Sequence, residues 1–181
     1  MVDDQRFAWM VDIMDVRPTD RILEIGPGPS NSIAYLAAKL NGGHVVGVDR
    51  SATAIARAAK RHAALIDSGQ LSLQQAELAD LDPQRLRARI GAGTAGFDKV
   101  MAVNVNVFWT KRPTAELALI RRLLAPGGTL YLFYGYGTPA STPATSPKPA
   151  PGRLNEYLSE AGFAVEVVSS GDLLGVVAIP E

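Results

Sequence analysis

Arg21-Ile22-Leu23-Glu24-Ile25-Gly26-Pro27-Gly28-Pro29-Ser30 runs from a short apolar segment into two glycines framed by prolines. The apolar segment reads as a β-strand. The glycines let the backbone turn tightly and approach a ligand closely. Ile33, Leu36 and Leu40 follow at helical spacing, and Asn41-Gly42-Gly43 closes that helix. Strand, glycine turn and helix in this order bring a helix start to the turn. One acid, Glu24, stands two residues ahead of the first glycine.

The same alternation continues in both directions. Residues 44–48 form a second strand that ends at Asp49, and Ser51 caps a helix expected to run to about residue 67. Residues 71–76 alternate as a third strand, and Asp82-Pro83 opens a helix ending near Gly91. Residues 100–105 give a fourth strand. Leu117, Ile120, Leu123 and Leu124 mark a helix stopped by Pro126-Gly127-Gly128, ahead of a fifth strand at 129–133. Upstream, Phe7, Met10, Ile13 and Met14 predict a short helix within residues 1–16, broken by Arg17-Pro18-Thr19-Asp20. Downstream, a helix over 154–161 precedes two β-branched runs, 163–168 and 173–179, which only Ser169-Ser170-Gly171-Asp172 separates. So short a gap implies an antiparallel hairpin. The pattern predicts an α/β fold over residues 1–181 as a single domain. Its core is a Rossmann-like, doubly wound, mostly parallel seven-stranded sheet with helices on both faces and a C-terminal antiparallel hairpin. Residues 137–151 carry five prolines and read as a mobile surface loop beside the cleft.

Composition narrows the function classes. Of 181 residues, 47% are apolar and 20% charged, which excludes a disordered chain. Eighteen basic residues balance eighteen acidic ones, so the net charge is zero. Neither nucleic acid nor an anionic membrane is expected as a partner, because both call for a positive field. There is no cysteine, hence no disulfide, thiolate metal site or thiol nucleophile. No run of about 18 apolar residues is long enough to span a membrane. The start, Met1-Val2-Asp3-Asp4-Gln5-Arg6-Phe7, lacks a signal peptide's apolar core, and a cytoplasmic location is expected. His44 begins the second strand, on the edge remote from a site, and His62 shares its helix's inward face as a satisfied packing residue. No metal site is expected.

In a doubly wound sheet, ligands bind beyond the carboxyl ends of the strands. Asp49 lies at such an end, 23 residues past Gly26, where a carboxylate can accept both hydroxyls of a ribose. Glu77 follows the third strand and can accept from an adenine amino group. The segment Asn104-Val105-Asn106-Val107-Phe108-Trp109 follows the fourth strand. Asn104 can bond a cofactor or nucleophile, and Phe108 and Trp109 can offer ring faces to a cation or an organic substrate, or serve as packing. Tyr134 and Tyr136 follow the fifth strand as possible acids or orienters, or as packing.

Five ordered motifs carry a resemblance. Glu24-Ile25-Gly26-Pro27-Gly28, Val48-Asp49, Ala76-Glu77, Phe97-Asp98-Lys99-Val100 and Leu124-Ala125-Pro126-Gly127-Gly128-Thr129-Leu130 resemble those of class I S-adenosylmethionine-dependent methyltransferases. The resemblance implies that Glu24, Gly26, Pro27 and Gly28 hold the methionine moiety. It also implies that Asp49 meets the ribose, that Glu77 lies near the adenine amino group and Asn104 near the methyl-bearing sulfur, with Arg50 and Leu78 as further cofactor-binding residues. It implies S-adenosylmethionine as cofactor, S-adenosylhomocysteine as product and a small-molecule methyl acceptor. Two rivals stay open: an NAD(P)-dependent oxidoreductase, and a non-catalytic cofactor-binding or partner module. Pro27 and Pro29 lack the N–H groups a pyrophosphate wants, and Asn31 stands where a dinucleotide turn carries glycine. Only about twenty residues precede the first strand. The short helix is therefore expected to fold over the cofactor, with Trp9 off its packing face and a homodimer completing the cover.

Overall fold

The protein, represented by a computed structural model, is described over residues 4–91, 93–141 and 152–181. Seven strands make one sheet: β1 (Arg21–Ile25), β2 (His44–Asp49), β3 (Leu71–Gln75), β4 (Phe97–Val103), β5 (Leu124–Tyr134), β6 (Phe163–Ser170) and β7 (Leu173–Pro180). Their order is β3-β2-β1-β4-β5-β7-β6. Neighbours among β1 to β5 run parallel, and β7 runs antiparallel to both β5 and β6. The expected mostly parallel sheet and closing hairpin are both present. The strand order reverses between β1 and β4, which opens a crevice at the carboxyl ends.

The helices are α1 (Gln5–Met14), α2 (Ser32–Ala37), α3 (Ala52–Arg61), α4 (Ala63–Asp67), α5 (Pro83–Ala88), α6 (Asn106–Thr110), α7 (Thr114–Leu123) and α8 (Gly152–Glu160). Asp4, Ser51 and Asp82 cap α1, α3 and α5 through their side chains. Both faces of the sheet are covered, so its central strands are buried along their length. On one face Ile22, Met101, Tyr131 and Phe133 pack with Phe7, Met10 and Met14 of α1 and Ile33 and Leu36 of α2. On the other, Leu23, Ile25, Val100 and Leu132 pack with Phe108, Leu117, Ile120 and Leu158. Strand residues alternate between faces, so Glu24, between Leu23 and Ile25, turns toward the α1 and α2 side.

Several boundaries differ from expectation. The helix after Ser51 is two helices, because His62 at φ −112 breaks it. His62 is buried, as expected of a packing residue, but its Nε2 has no partner among the described residues. β4 stops at Val103, because Asn104 adopts a left-handed φ of 55. β5 starts at Leu124 rather than after the glycines. Gly128 passes so close to β4 that a Cβ there would stand 2.7 Å from the Phe97 carbonyl oxygen, and the β4–β5 register shifts between Phe97 and Lys99. Glycine here lets a bulged strand through instead of ending a helix.

The expected free Trp9 is corrected. Its ring packs edge-on to Phe133 at 5.8 Å within the α1 core, which takes away the residue on which a second-subunit cover was argued. The first turn of α1, rather than Trp9, borders the cavity, through Gln5, Arg6 and Phe7. Of the proline-rich stretch 137–151, residues 137–141 lie against the β6–β7 turn, where Ser170 Oγ donates to the Pro139 carbonyl at 3.2 Å. Residues 142–151 lie outside the described residues. At the opposite edge of the sheet, Lys99 Nζ pairs with buried Asp20 at 2.8 Å, and Arg21 pairs with Asp98 at 3.1 Å. No helix among the described residues is long and apolar enough to cross a membrane.

Candidate active site

Two adjoining cavities open at the carboxyl ends of β1 to β5. One, of about 630 Å³, is lined by Gly26, Asp49, Arg50, Glu77, Leu78 and Asn104, among others. The second, of about 1310 Å³, is lined by Glu24, Gly26, Pro27, Gly28 and Asn104 together with the start of α1 and Tyr136. All nine residues singled out from the sequence thus border one cavity or both, and Gly26 and Asn104 border both.

The glycine turn is held from within. Gly26 and Gly28 take left-handed φ values of 67 and 55. A Cβ on Gly26 would stand 2.9 Å from Val105 Cγ2, so glycine is needed there for both space and conformation. The Gly26 N–H donates to the Val48 carbonyl at 2.7 Å and the Ser30 N–H to the Pro27 carbonyl at 3.3 Å. The Gly28 N–H donates to Asp49 Oδ2 at 3.0 Å. With prolines at 27 and 29, none of these five positions offers a free N–H to a phosphate. Arg61 adds an outer clamp: its Nη1 donates to the Pro29 and Ser30 carbonyls at 2.6 and 2.9 Å.

Glu24 is the most unusual group. It is 1% exposed. Ser32 Oγ, at the start of α2, donates to its Oε1 through a short hydrogen bond, and Ser30 Oγ lies 2.7 Å from Ser32 Oγ. The other oxygen, Oε2, has no partner among the described residues. Burial pushes the carboxyl pKa up to about 7 from 4.5; the Ser32 bond opposes the rise and the nearby Asp49 carboxylate adds to it. A buried carboxylate with one unsatisfied oxygen fits a cationic ligand group.

Asp49 accepts from Gly28 at one oxygen and from the Ser51 N–H at the other, at 2.9 Å. A carboxylate oxygen has two lone pairs, so each keeps one acceptor site for a ligand hydroxyl. Asn104 borders both cavities and also ties two strand ends together. Its Nδ2 donates to the Gly135 carbonyl at 3.0 Å, and its Oδ1 accepts the Gly135 N–H at 2.9 Å. The amide forms a two-way clasp between the ends of β4 and β5, and one N–H and one oxygen lone pair remain beyond the clasp. Phe108 is buried core, and Val105, Val107 and Trp109 pack against it, which is the packing alternative weighed for this segment. His44 is remote from the cavities; its ring nitrogens bond the Gly69 carbonyl and Ser72 Oγ.

Sequence reading missed Ser32, Arg61 and Arg6. Ser32 carried a signal, a hydroxyl one turn beyond the glycines. Arg61 and Arg6 reach their partners across 31 and 129 residues, and nothing in their local sequence announces it. Among the described residues, no group of three or more His, Asp or Glu side chains converges as a metal site would.

An open α/β sheet with a proline-framed glycine turn and ordered acids at successive strand ends defines a Rossmann-like fold with a site at its carboxyl edge. The model of the family described as methyltransferase domain matches residues 23–130, and the chain belongs to that family. An uncharacterized 37.1 kDa protein in transposon TN4556 of Streptomyces fradiae is 29% identical over 124 residues, which is 68% of this chain and 32% of that protein. The chain therefore spans about a third of the length of that curated relative. Among solved structures, a SAM-dependent methyltransferase from Aquifex aeolicus matches with a TM-score of 0.74 at 16% identity, covering 97% of this chain and 89% of that one. Magnesium protoporphyrin IX methyltransferase from Synechocystis PCC 6803, solved with bound SAM, matches with a TM-score of 0.65 at 18% identity over 97% of this chain and 76% of that one. At such identities the likeness is one of fold.

Proposed function

We propose that the chain is an S-adenosylmethionine-dependent methyltransferase acting on a small-molecule acceptor. The observation that carries this reading is buried Glu24, with one carboxylate oxygen unsatisfied, at the head of a glycine turn that opens onto the Asp49 and Glu77 cavity. The ammonium of the methionine moiety is the cation that would meet Glu24 Oε2. The open acceptor sites on Asp49 would take the ribose hydroxyls, and Glu77 an adenine amino hydrogen, with Leu78 and Val105 as apolar walls. Arg50 borders the ribose end. When bound, S-adenosylmethionine supplies an electrophilic methyl group carried on a sulfonium.

The chain's own part is to bind, orient and exclude water. Holding two reactants in line replaces a bimolecular encounter with a positioned one. Here the rigid parts are the self-bonded glycine turn, the Asn104–Gly135 clasp and the first turn of α1. The dinucleotide rival is disfavoured, because the turn's N–H groups are either absent or already bonded. A non-catalytic module that binds the same cofactor would use Glu24 in the same way, so methyl transfer itself is what separates it from an enzyme. The second cavity leaves room for an acceptor beside the cofactor's amino-acid moiety.

The test is incubation with methyl-labelled S-adenosylmethionine and a cell extract split into small-molecule and macromolecular fractions. Label should appear in the small-molecule fraction alone. Label confined to protein or nucleic acid would contradict the acceptor class, and label in neither would contradict catalysis.

A further inference from the structure

We propose that Ser32 is the positioning residue of the ammonium site: with Ser30 behind it, its hydroxyl holds one oxygen of Glu24 and leaves the other for the cation. This rests on the methyltransferase reading and adds two residues to the same site. The three side chains form one line of hydrogen bonds. Ser32 Oγ meets Glu24 Oε1, Ser30 Oγ lies 2.7 Å from Ser32 Oγ, and Ser30 Oγ reaches the Pro27 carbonyl at 2.8 Å. Ser32 and Glu24 are each 1% exposed, so the inner bond is shielded from solvent. Both ends of the line are anchored. Glu24 is fixed in the sheet between Gly47 of β2 and Met101 of β4. Ser30 is fixed by the turn: its N–H donates to the Pro27 carbonyl at 3.3 Å, and its own carbonyl accepts from Arg61 Nη1 at 2.9 Å.

Counting protons gives the line a direction. Each serine hydroxyl has one proton to donate. With Glu24 ionised, Oε1 accepts from Ser32, Ser32 accepts from Ser30, and the Pro27 carbonyl is left with the Ser30 N–H. With Glu24 protonated on Oε1, that proton points to Ser32 Oγ, Ser32 donates to Ser30, and Ser30 donates to Pro27. The hydroxyls turn over together when the carboxyl loses its proton, which leaves to solvent through the cavity. Two donors in series favour the ionised form that an ammonium needs. Burial and the Asp49 carboxylate push the other way. The remaining charged or titratable groups around this cavity are Asp4, Arg6, Arg61 and Tyr136. Asp4 and Arg6 pair with each other, Arg61 is held by two loop carbonyls, and no bond from any of the four reaches Glu24 Oε2. The serine line is therefore the device in this cavity that sets the charge and orientation of Glu24.

The experiment follows the Glu24 carboxyl carbon by NMR through a pH titration of the full chain without ligand, the signal being assigned by its loss in Glu24→Gln. The wild-type midpoint is expected near 7. Ser32→Ala should raise it by about one pH unit, because a donor to the charged form is lost. Ser32→Thr, which keeps the hydroxyl, should restore it. Ser30→Ala should raise it by a smaller step. Ser30 is half-buried and lies outside α2, so this variant decides the matter if Ser32→Ala does not fold. Calorimetry supplies the second readout. At pH 7 the Ser32→Ala chain should bind S-adenosylhomocysteine about fivefold more weakly than wild type, and the gap should close as pH rises. A serine of merely structural importance would weaken binding equally at every pH. That result, or a carboxyl midpoint unmoved in Ser32→Ala or in Ser30→Ala, would overturn the proposal. If S-adenosylhomocysteine does not bind the wild-type chain at any pH, the underlying methyltransferase reading fails instead, and the carboxyl titration still decides whether the two serines govern Glu24.

Discussion

Glu24 ends up buried because strand alternation turns it into the α1 and α2 face, and that burial has a measurable consequence. Its carboxyl titrates near 7 in the folded chain and at 4.5 when free. Between those values the folded chain holds a proton that the unfolded chain has lost. Stability is therefore full below pH 4.5, falls as pH rises to about 7 and levels off above, a loss of about 3 kcal/mol. Denaturant unfolding across that window should show the decline, and Glu24→Gln should flatten it. Cofactor binding runs the other way. The ammonium needs the ionised form, so calorimetric affinity for S-adenosylhomocysteine should rise with pH and reach its plateau above about 7. Affinity that does not vary with pH would take the ammonium away from Glu24. Asp49→Ala removes both ribose acceptors and the Gly28 tether, and should weaken S-adenosylhomocysteine binding by about 1–3 kcal/mol by the same calorimetry. Glu24, Asp49 and Glu77 were legible because acids at the ends of apolar strands stand out from their neighbours. The residue that pins the turn, Arg61, comes from tertiary approach.

At the scale of elements, the strand–turn–helix around residues 21–37 was readable because apolar period and glycine placement agree. The misread strand boundaries share one cause: a glycine or a left-handed residue acting through tertiary contact rather than local preference. Gly128 passes a bulged strand beside Phe97, and Asn104 ends β4 by clasping Gly135. The same physics makes the first glycine of the turn sensitive. Gly26→Ala would put a methyl group 2.9 Å from Val105 Cγ2 on a left-handed backbone. It should destabilise the chain by about 1–3 kcal/mol and abolish detectable cofactor binding. Thermal unfolding and calorimetry read the two effects separately. An alanine variant of wild-type stability and affinity would mean that the turn is looser than described.

Across the whole molecule the sheet divides its work by edge. The carboxyl ends carry the cavities, and the amino ends carry the Asp20–Lys99 and Arg21–Asp98 pairs. Lys99→Met strands buried Asp20 without its cation and should cost about 3 kcal/mol of stability. S-Adenosylhomocysteine affinity should stay at the wild-type value, since Lys99 borders neither cavity. A fall in both would mean that the two edges are coupled. The mostly parallel sheet and the closing hairpin were legible in the alternation of strands and helices. The cover of the site was not, because which face Trp9 chooses is decided by Phe133, more than a hundred residues away.

The central claim is that this turn holds a sulfonium cofactor and not a dinucleotide, and paired calorimetric titrations of the full chain test it most directly. S-Adenosylhomocysteine should bind one per chain with a Kd in about the micromolar range, and NAD should give no saturable heat up to about millimolar concentration. NAD binding as tightly as S-adenosylhomocysteine, or no binding of S-adenosylhomocysteine at all, would contradict the account.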